Sequence, residues 1–409
     1  MEKIEVSSKG IRVIKFKKED KIILLNPLTG KRIFTTNKLI RNIPKKDLKE
    51  LREMKFNLEK PQIRRYRIEV TFQCNATCDY CLVYKNPLKQ KNNAMKLETA
   101  KVISMRFNKE VKGGDVMLIG GEPLTNWAVV KYFIENIKGN VFVFTNATLI
   151  DEEKAKILSK SNVITFVSLD GRKIENFHRK DLEGMPLFDK TIKGYTLLKK
   201  YGAKTGISCL VTNDNVDQLF EIVKYFHEEL GEKAFGLSFP HKCLENNFEV
   251  NIKKYTAELI HLVDYAKKKK IYVSQIVNLL RPLISNQFRL YGCKIVGEQR
   301  TFYPDGKETL CTKLDILKEF DNKTGKDLFK LLPVFREDCK NCGALFVCGG
   351  GCFWDAFFNK DKKDKKTCYF TKHLVKSILW DMHKNCPKNK LIEKEDLKEH
   401  LKLVEPNNS

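Results

Sequence analysis

The sequence predicts an α/β protein: a parallel sheet built from six strand–helix units, preceded by a small N-terminal α+β unit and followed by a cysteine-rich extension. Three observations predict it. Short apolar runs alternate with helical patterns from Tyr66 to about Lys242. Cys74, Cys78 and Cys81 stand in a C-x3-C-x2-C spacing just after the first of those runs. Most of the remaining cysteines gather between Cys293 and Cys368.

Taken in order, residues 1–60 read as a separate unit. Stretches 21–28 and 31–36 are strand-like around Thr29-Gly30, a hairpin signal, and a short helix over 46–54 follows Pro44. Tyr66, Ile68, Val70 and Phe72 then alternate with Arg67, Glu69 and Thr71 as a strand. The three-cysteine loop therefore falls at a strand's C-terminal end, where α/β folds place reactive groups. Runs 116–119, 141–144, 163–167, 205–211 and 235–239 read as further buried parallel strands. Between them, Trp127, Val130, Phe133, Ile134 and Ile137 share one helical face, and Leu219, Ile222, Val223, Phe226 and Leu230 another. Asn213-Asp214-Asn215 is a start signal for the second. Residues 251–290 read as a helical bridge and 387–409 as a charged tail.

The chain has 409 residues, with 76 Lys and Arg against 51 Asp and Glu, a net charge of +25. The lysines are spread along the chain and mixed with acids, which reads as a solvated surface. A nucleic-acid partner is not expected, although an acidic peptide would be attracted. No stretch reaches the length of a membrane span and the N-terminus lacks a signal-peptide core, so a cytoplasmic protein without membrane contact is expected. Thirteen cysteines in such a chain point to metal or cluster ligation rather than a disulfide framework. Three thiolates can hold three irons of a cubane and leave the fourth iron open for a small molecule. A structural zinc site is the plainer alternative.

The cysteine loop resembles that of the radical S-adenosylmethionine (radical SAM) enzymes. The resemblance implies that Cys74, Cys78 and Cys81 hold a four-iron cluster whose open iron is chelated by S-adenosylmethionine. Six units fit the partial (β/α)6 barrel of that family better than a closed eight-stranded one. Tyr80, just before the last cysteine, would contact the adenine. Gly120-Gly121-Glu122-Pro123 resembles the family's GGE motif, its glycines admitting a ligand closely and Glu122 pairing with the cofactor ammonium. Asn146, in Thr-Asn-Ala-Thr-Leu, matches a Thr-Asn-Gly-Thr-Leu segment, with Ala147 in place of Gly. Ser168-Leu-Asp170-Gly171 resembles a Ser-Ile-Asp-Gly segment of the peptide-modifying branch. There Ser168 and Asp170 belong to the cofactor site and Arg179 would bind the cofactor carboxylate.

Downstream, Cys293, Cys311, Cys339-x2-Cys342-x5-Cys348-x3-Cys352 and Cys368 resemble the SPASM extension of radical SAM peptide maturases, here over 291–386 after a core of 61–250. The resemblance implies two auxiliary four-iron clusters. Cys339, Cys342, Cys348 and Cys368 would ligate the distal one, and Cys293, Cys311 and Cys352 the proximal one. Two zinc sites are the alternative. Cys243 or Cys386 could supply the eighth ligand or a hydrogen atom, or one iron could stay open for a substrate thiolate. Cys209, inside an apolar strand, reads as a packed core thiol.

The function so implied is maturation of a ribosomally made, Cys-containing peptide by a 5′-deoxyadenosyl radical, through a thioether or other cross-link. A leader segment of the substrate and an electron donor such as flavodoxin or ferredoxin go with it; residues 1–60 read either as a unit that holds the leader or as a plain packing extension. Alternatives are a sulfatase activator forming formylglycine, a peptide epimerase, or a non-catalytic metal-cluster protein that binds nucleic acid.

Overall fold

The computed structural model describes residues 3–4, 11–53, 58–59, 61–83, 94–242, 248–285, 287–320, 323–325 and 327–397. The chain divides into two units. One comprises residues 61–251 and 294–326; the other joins 1–60, 252–293 and 327–409.

The first unit is a mixed α/β structure on a parallel sheet. Its strands are β1 (Arg65–Thr71), β2 (Asp115–Gly120), β3 (Asn140–Thr145), β4 (Val163–Ser168), β5 (Lys204–Leu210), β6 (Ala234–Ser238), β7 (Gln299–Phe302) and β8 (Glu308–Thr309). They lie in the order β6-β5-β4-β3-β2-β1-β7-β8. Strands β1 to β6 run parallel, β7 joins β1 in parallel, and β8 turns back antiparallel. Parallel neighbours need crossovers. These are α1 (Leu97–Glu110), α2 (Trp127–Asn136), α3 (Glu152–Leu158), α4 (Phe188–Lys200) and α5 (Leu219–Glu228).

Period-two alternation divides the sheet into unlike faces. Tyr66, Ile68, Val70, Val116, Leu118, Val141, Val143, Val163 and Val167 are buried in one core with Ile103, Phe107, Val130 and Phe133 of the helices. Their neighbours Met117, Ile119, Phe142, Phe144, Ile164, Phe166 and Ser168 are only half-buried. The strands were expected to be covered on both sides, as parallel strands usually are. Phe166 stacks between Phe144, 4.9 Å away at 12°, and Phe142 at 6.2 Å. An aromatic surface is thus presented on the face turned away from the helices.

In the second unit, Ile14–Lys18, Lys21–Leu25 and Arg32–Thr36 form a three-stranded antiparallel sheet, one strand more than the hairpin expected. Helices Lys45–Arg52, Ile252–Lys269, Ser274–Ser285 and Lys365–Asn385 accompany it. Remote segments are stitched together by buried polar groups. Arg32, fully buried, donates to the Gly30 and Leu283 carbonyls at 3.0 and 2.9 Å. The Thr35 carbonyl accepts from His383 Nε2 at 3.0 Å, and Leu391 N–H donates to Asp47 at 3.0 Å. Burial lowers the Arg32 pKa to about 10, and its Nε is buried without a partner. Among the described residues, no helix is long and apolar enough to cross a membrane.

Candidate active site

Strand β1 ends in a register shift against β2 between Glu69 and Thr71. Irregularities of this kind re-aim a chain next to functional sites. Thr71 Oγ1 then accepts from Gln73 N–H at 3.0 Å and turns the backbone into the cysteine loop. The loop hangs on the segment after β4. Thr77 N–H donates to the Lys180 carbonyl at 2.8 Å, Asp79 N–H to His178 at 3.1 Å, and Thr77 Oγ1 to Asp181 at 2.8 Å.

Cys74, Cys78 and Cys81 are half-buried thiols that feel one another electrostatically. Burial pushes Cys74 up to about 12, with Glu122 and the other two cysteines adding to the shift. Burial likewise pushes Cys78 to about 11, against the pull of Arg179. Thiols held up in this way ionise only beside a strong positive charge, which iron supplies. The donor set therefore fits a cluster.

The Gly120-Gly121-Glu122 turn closes on this loop from β2. Gly121 N–H donates to the Thr71 carbonyl at 2.8 Å and Glu122 N–H to Gln73 at 2.9 Å. A Cβ on Gly120 would lie 2.1 Å from the Thr71 oxygen, and one on Gly121 2.2 Å from that of Gln73. The glycines were expected to admit a ligand; their missing side chains are already needed for the approach of the two loops. Glu122 is 1% exposed. Its Oε1 accepts from Leu124 N–H at 3.0 Å and Thr145 Oγ1 at 2.7 Å, and its Oε2 from Asn146 N–H at 2.7 Å. Burial raises its pKa to about 7 while these bonds pull it back. One acceptor direction on Oε2 is left for a cationic ligand.

Asn146 is turned towards the cysteine loop, donating to Asn75 Oδ1 at 2.9 Å, while Asn75 donates to Thr148 Oγ1 at 2.8 Å. Ala147, where the family segment carries glycine, adopts φ +63° and is fully buried. Ser168 is half-buried at the end of β4, on the aromatic face.

Asp170 is a hub. Its Oδ1 accepts from Leu210 N–H and Arg179 Nη2, both at 2.9 Å, and its Oδ2 from Arg179 Nε at 2.9 Å and from the Tyr80 hydroxyl. Such a bidentate pair holds the guanidinium rigidly. Burial opposes the Arg179 charge, but Asp170, Tyr80 and Cys78 together outweigh it and the pKa lies well above the ordinary value. The Arg179 guanidinium lies 5.6 Å from the Tyr80 ring centroid, and Phe248 meets that ring edge-on at 5.8 Å. Tyr80, Asp170 and Arg179 thus form one assembly, in which Asp170 is engaged by the protein and Arg179 keeps Nη1 for a further acceptor.

Sequence reasoning missed His178. Its Nδ1 and Nε2 each lie 2.9 Å from a carboxylate, Asp79 of the cysteine loop and Asp214 after β5. Lys180 also reaches Asp79, at 2.9 Å. Burial would raise the Asp79 pKa, but the bonds from His178 and Lys180 dominate and lower it. The signal was present as Phe-His-Arg-Lys beside Arg179, but its carboxylate partners are remote in sequence. The same segment exposes Ile174 (76%), Phe177 (44%), Leu182 (65%) and Met185 (59%).

A second cysteine site lies in the other unit. Cys339, Cys342, Cys348 and Cys368 line one pocket with Lys363 and Lys372. Burial pushes Cys348 up to about 12, and Cys342, Cys368 and Cys339 add to it. The same chemistry of crowded thiols fits a metal cluster there. Cys293 and Cys352 belong to this unit and Cys311 to the first. Cys352 N–H donates to Asp364 at 3.0 Å. Cys386 is buried, its thiol donating to the Asp396 carbonyl at 3.4 Å. Cys209 is fully packed in β5, and burial raises its pKa well above the usual value. Cys243 lies outside the described residues. Among the described cysteines none forms a disulfide.

A three-cysteine loop at the C-terminal mouth of a parallel six-stranded (β/α) sheet, beside a buried glutamate, defines a class of enzyme. The chain belongs to the radical SAM superfamily, whose family model matches residues 68–226. An uncharacterized protein of Methanocaldococcus jannaschii is 32% identical over 285 residues, covering 66% of this chain and 93% of that one. A cysteine-type anaerobic sulfatase-maturating enzyme of Clostridium perfringens is 28% identical over 322 residues, covering 68% of this chain and 85% of that one. The fold is shared with the solved structure of native anSMEcpe with bound AdoMet and Cp18Cys peptide. The TM-score is 0.62 at 23% identity, over 78% of this chain and 99% of that chain. The protein is thus a radical SAM enzyme, to which S-adenosylmethionine and a four-iron cluster belong.

Proposed function

We propose that this enzyme modifies a cysteine-containing peptide, maturing a ribosomally made precursor through a thioether or similar cross-link. The observation that carries the reading is the second set of four crowded thiols, Cys339, Cys342, Cys348 and Cys368, in addition to the radical site. A cross-link is a net oxidation, and a further cluster gives the electron removed from the substrate a place to go. With Cys293, Cys311 and Cys352 the chain would hold two auxiliary four-iron clusters beside the radical one. The apolar side chains Ile174, Phe177, Leu182 and Met185 give a peptide a surface to lie on beside the cysteine loop.

When bound, the radical cluster and S-adenosylmethionine supply a 5′-deoxyadenosyl radical. The chain's own residues bind and orient around that chemistry. Glu122 meets the ammonium and Arg179, fixed by Asp170, offers Nη1 to the carboxylate. Tyr80 lines the adenine side, and the Phe142–Phe166–Phe144 surface excludes water from the open face of the sheet. A flavodoxin- or ferredoxin-type donor supplies the reducing electron, and a leader segment of the substrate pairs with the three-stranded sheet.

The second reading is activation of a sulfatase, favoured by the identity with the Clostridium perfringens enzyme. Mass spectrometry of a Cys-containing peptide, incubated anaerobically with reductant and S-adenosylmethionine, separates the two. A thioether loses two hydrogens and keeps sulfur, whereas formylglycine loses sulfur. A product with neither change overturns the oxidative reading.

A further inference from the structure

The strongest unexplained feature is the charge around the second cysteine site. Residues 360–366 carry five lysines against two aspartates. One of the two acids is withdrawn from the surface: Asp364 is buried, accepting from Cys352 N–H, Thr367 N–H and Thr367 Oγ1 as it caps the Lys365–Asn385 helix. Lys360, Lys362, Lys365 and Lys372 are exposed. Lys363 pairs with Asp338 at 2.6 Å and lines the four-thiol pocket. Lys372, four residues after Cys368, stands on the same helical face and lines that pocket as well. A cationic rim therefore borders a cluster site, although surface lysines alone would normally be only a solvated loop.

We infer that this rim, Lys360 to Lys366 with Lys372, is the docking surface of an acidic one-electron carrier protein of the flavodoxin or ferredoxin class. The inference rests on reading Cys339, Cys342, Cys348 and Cys368 as cluster ligands. Three features favour that occupant over other anions. The charge is concentrated where an electron would enter or leave, and electron exchange requires the two redox groups to approach closely. The lysine side chains are flexible and strongly hydrated, which suits a brief encounter steered by charge rather than a tight lock. The rim is also carried by one turn and the start of one helix, too small an area for an obligate partner. One electron leaves the reduced carrier and is taken up at the four-cysteine site; no bond forms or breaks and no proton need move. The reverse transfer returns an electron taken from substrate.

The test uses the full-length enzyme with all its iron and a flavodoxin in its semiquinone form. In the variant K360E/K365E/K366E the pocket-lining Lys363 and Lys372 are kept. Glu near the start of the Lys365–Asn385 helix suits the helix dipole, so the variant should fold. Iron content and the electron paramagnetic resonance signal of the auxiliary site are measured first. Stopped-flow electron transfer is then followed at low and high salt. The wild-type rate should fall with salt, and the variant should be slower by about tenfold or more at low salt, the gap closing at high salt. Equal rates in two iron-replete proteins overturn the docking surface and leave the cluster reading intact. Absence of iron from the four-cysteine site of the wild type overturns the cluster reading itself. Loss of binding to single-stranded RNA or to an acidic peptide, with carrier kinetics unchanged, assigns the rim to another partner and also overturns the proposal.

Discussion

The buried carboxylate of Glu122 makes the site sensitive to pH in a defined direction. Burial raises its pKa from an ordinary 4.5 to about 7, so the folded protein without cofactor holds the proton more tightly than the unfolded chain does. Its contribution to stability is full below the ordinary value and is lost as pH rises through about 7. Cofactor binding runs the other way, because an ammonium needs the ionised form. Equilibrium titration should show affinity for S-adenosylmethionine rising across neutrality, with Glu122→Gln flattening the profile. Glu122→Ala should weaken binding by about 3–5 kcal/mol, the cost of leaving a buried charge without its partner. A second prediction separates the two cysteine sites. Replacing Cys74, Cys78 and Cys81 by Ala should abolish formation of 5′-deoxyadenosine while iron at the other unit is retained, as read by iron analysis and paramagnetic resonance. At this scale the motif residues were legible in the sequence, whereas their engagements were not. Asp170 was read as a cofactor residue, yet its four accepted hydrogen bonds come from Leu210, Arg179 and Tyr80, which only the fold gathers.

At the scale of elements, the loop after β3 and helix α4 are fitted to each other with no space to spare. Ala147 takes a left-handed backbone at φ +63°, which disfavours an L-residue by about 1–2 kcal/mol. A Cβ on Gly194 of α4 would sit 1.9 Å from the Ala147 carbonyl oxygen. Ala147→Gly should therefore be neutral or stabilising by up to about 1 kcal/mol in chemical denaturation, contrary to the usual effect of glycine. Gly194→Ala should destabilise by about 1–3 kcal/mol through overpacking. Strands β2 to β6 were legible because each is a short apolar run between helices. The β7 segment Gln299-Arg-Thr-Phe was not, since four mostly polar residues carry no periodic signal and only pairing with β1 and β8 makes them a strand. Helix α1 was blurred for a different reason: Val102 and Met105 are 61% and 64% exposed and spoil the apolar stripe.

For the molecule as a whole, iron removal should act unevenly. The four-thiol site lies among short turns and helices rather than in a sheet, so chelation should strip structure from the second unit first. Hydrogen exchange after anaerobic chelation should show loss of protection around residues 339–368 before the β1–β6 sheet opens. The assembly of that unit from three separated segments was not legible in sequence, because a contact such as Arg32 with the Leu283 carbonyl leaves no local pattern. It has a consequence for the order of synthesis. Residues 61–251 supply β1 to β6 and the first cysteine loop in one continuous stretch, which can begin folding while the ribosome is still translating. The other unit must wait. Arg32, made early, finds its carbonyl only after Leu283 emerges, and Thr35 finds His383 only 348 residues later. The strands before residue 37 thus leave the exit tunnel long before those partners exist, and iron can reach a finished four-thiol site only after Cys368 has emerged.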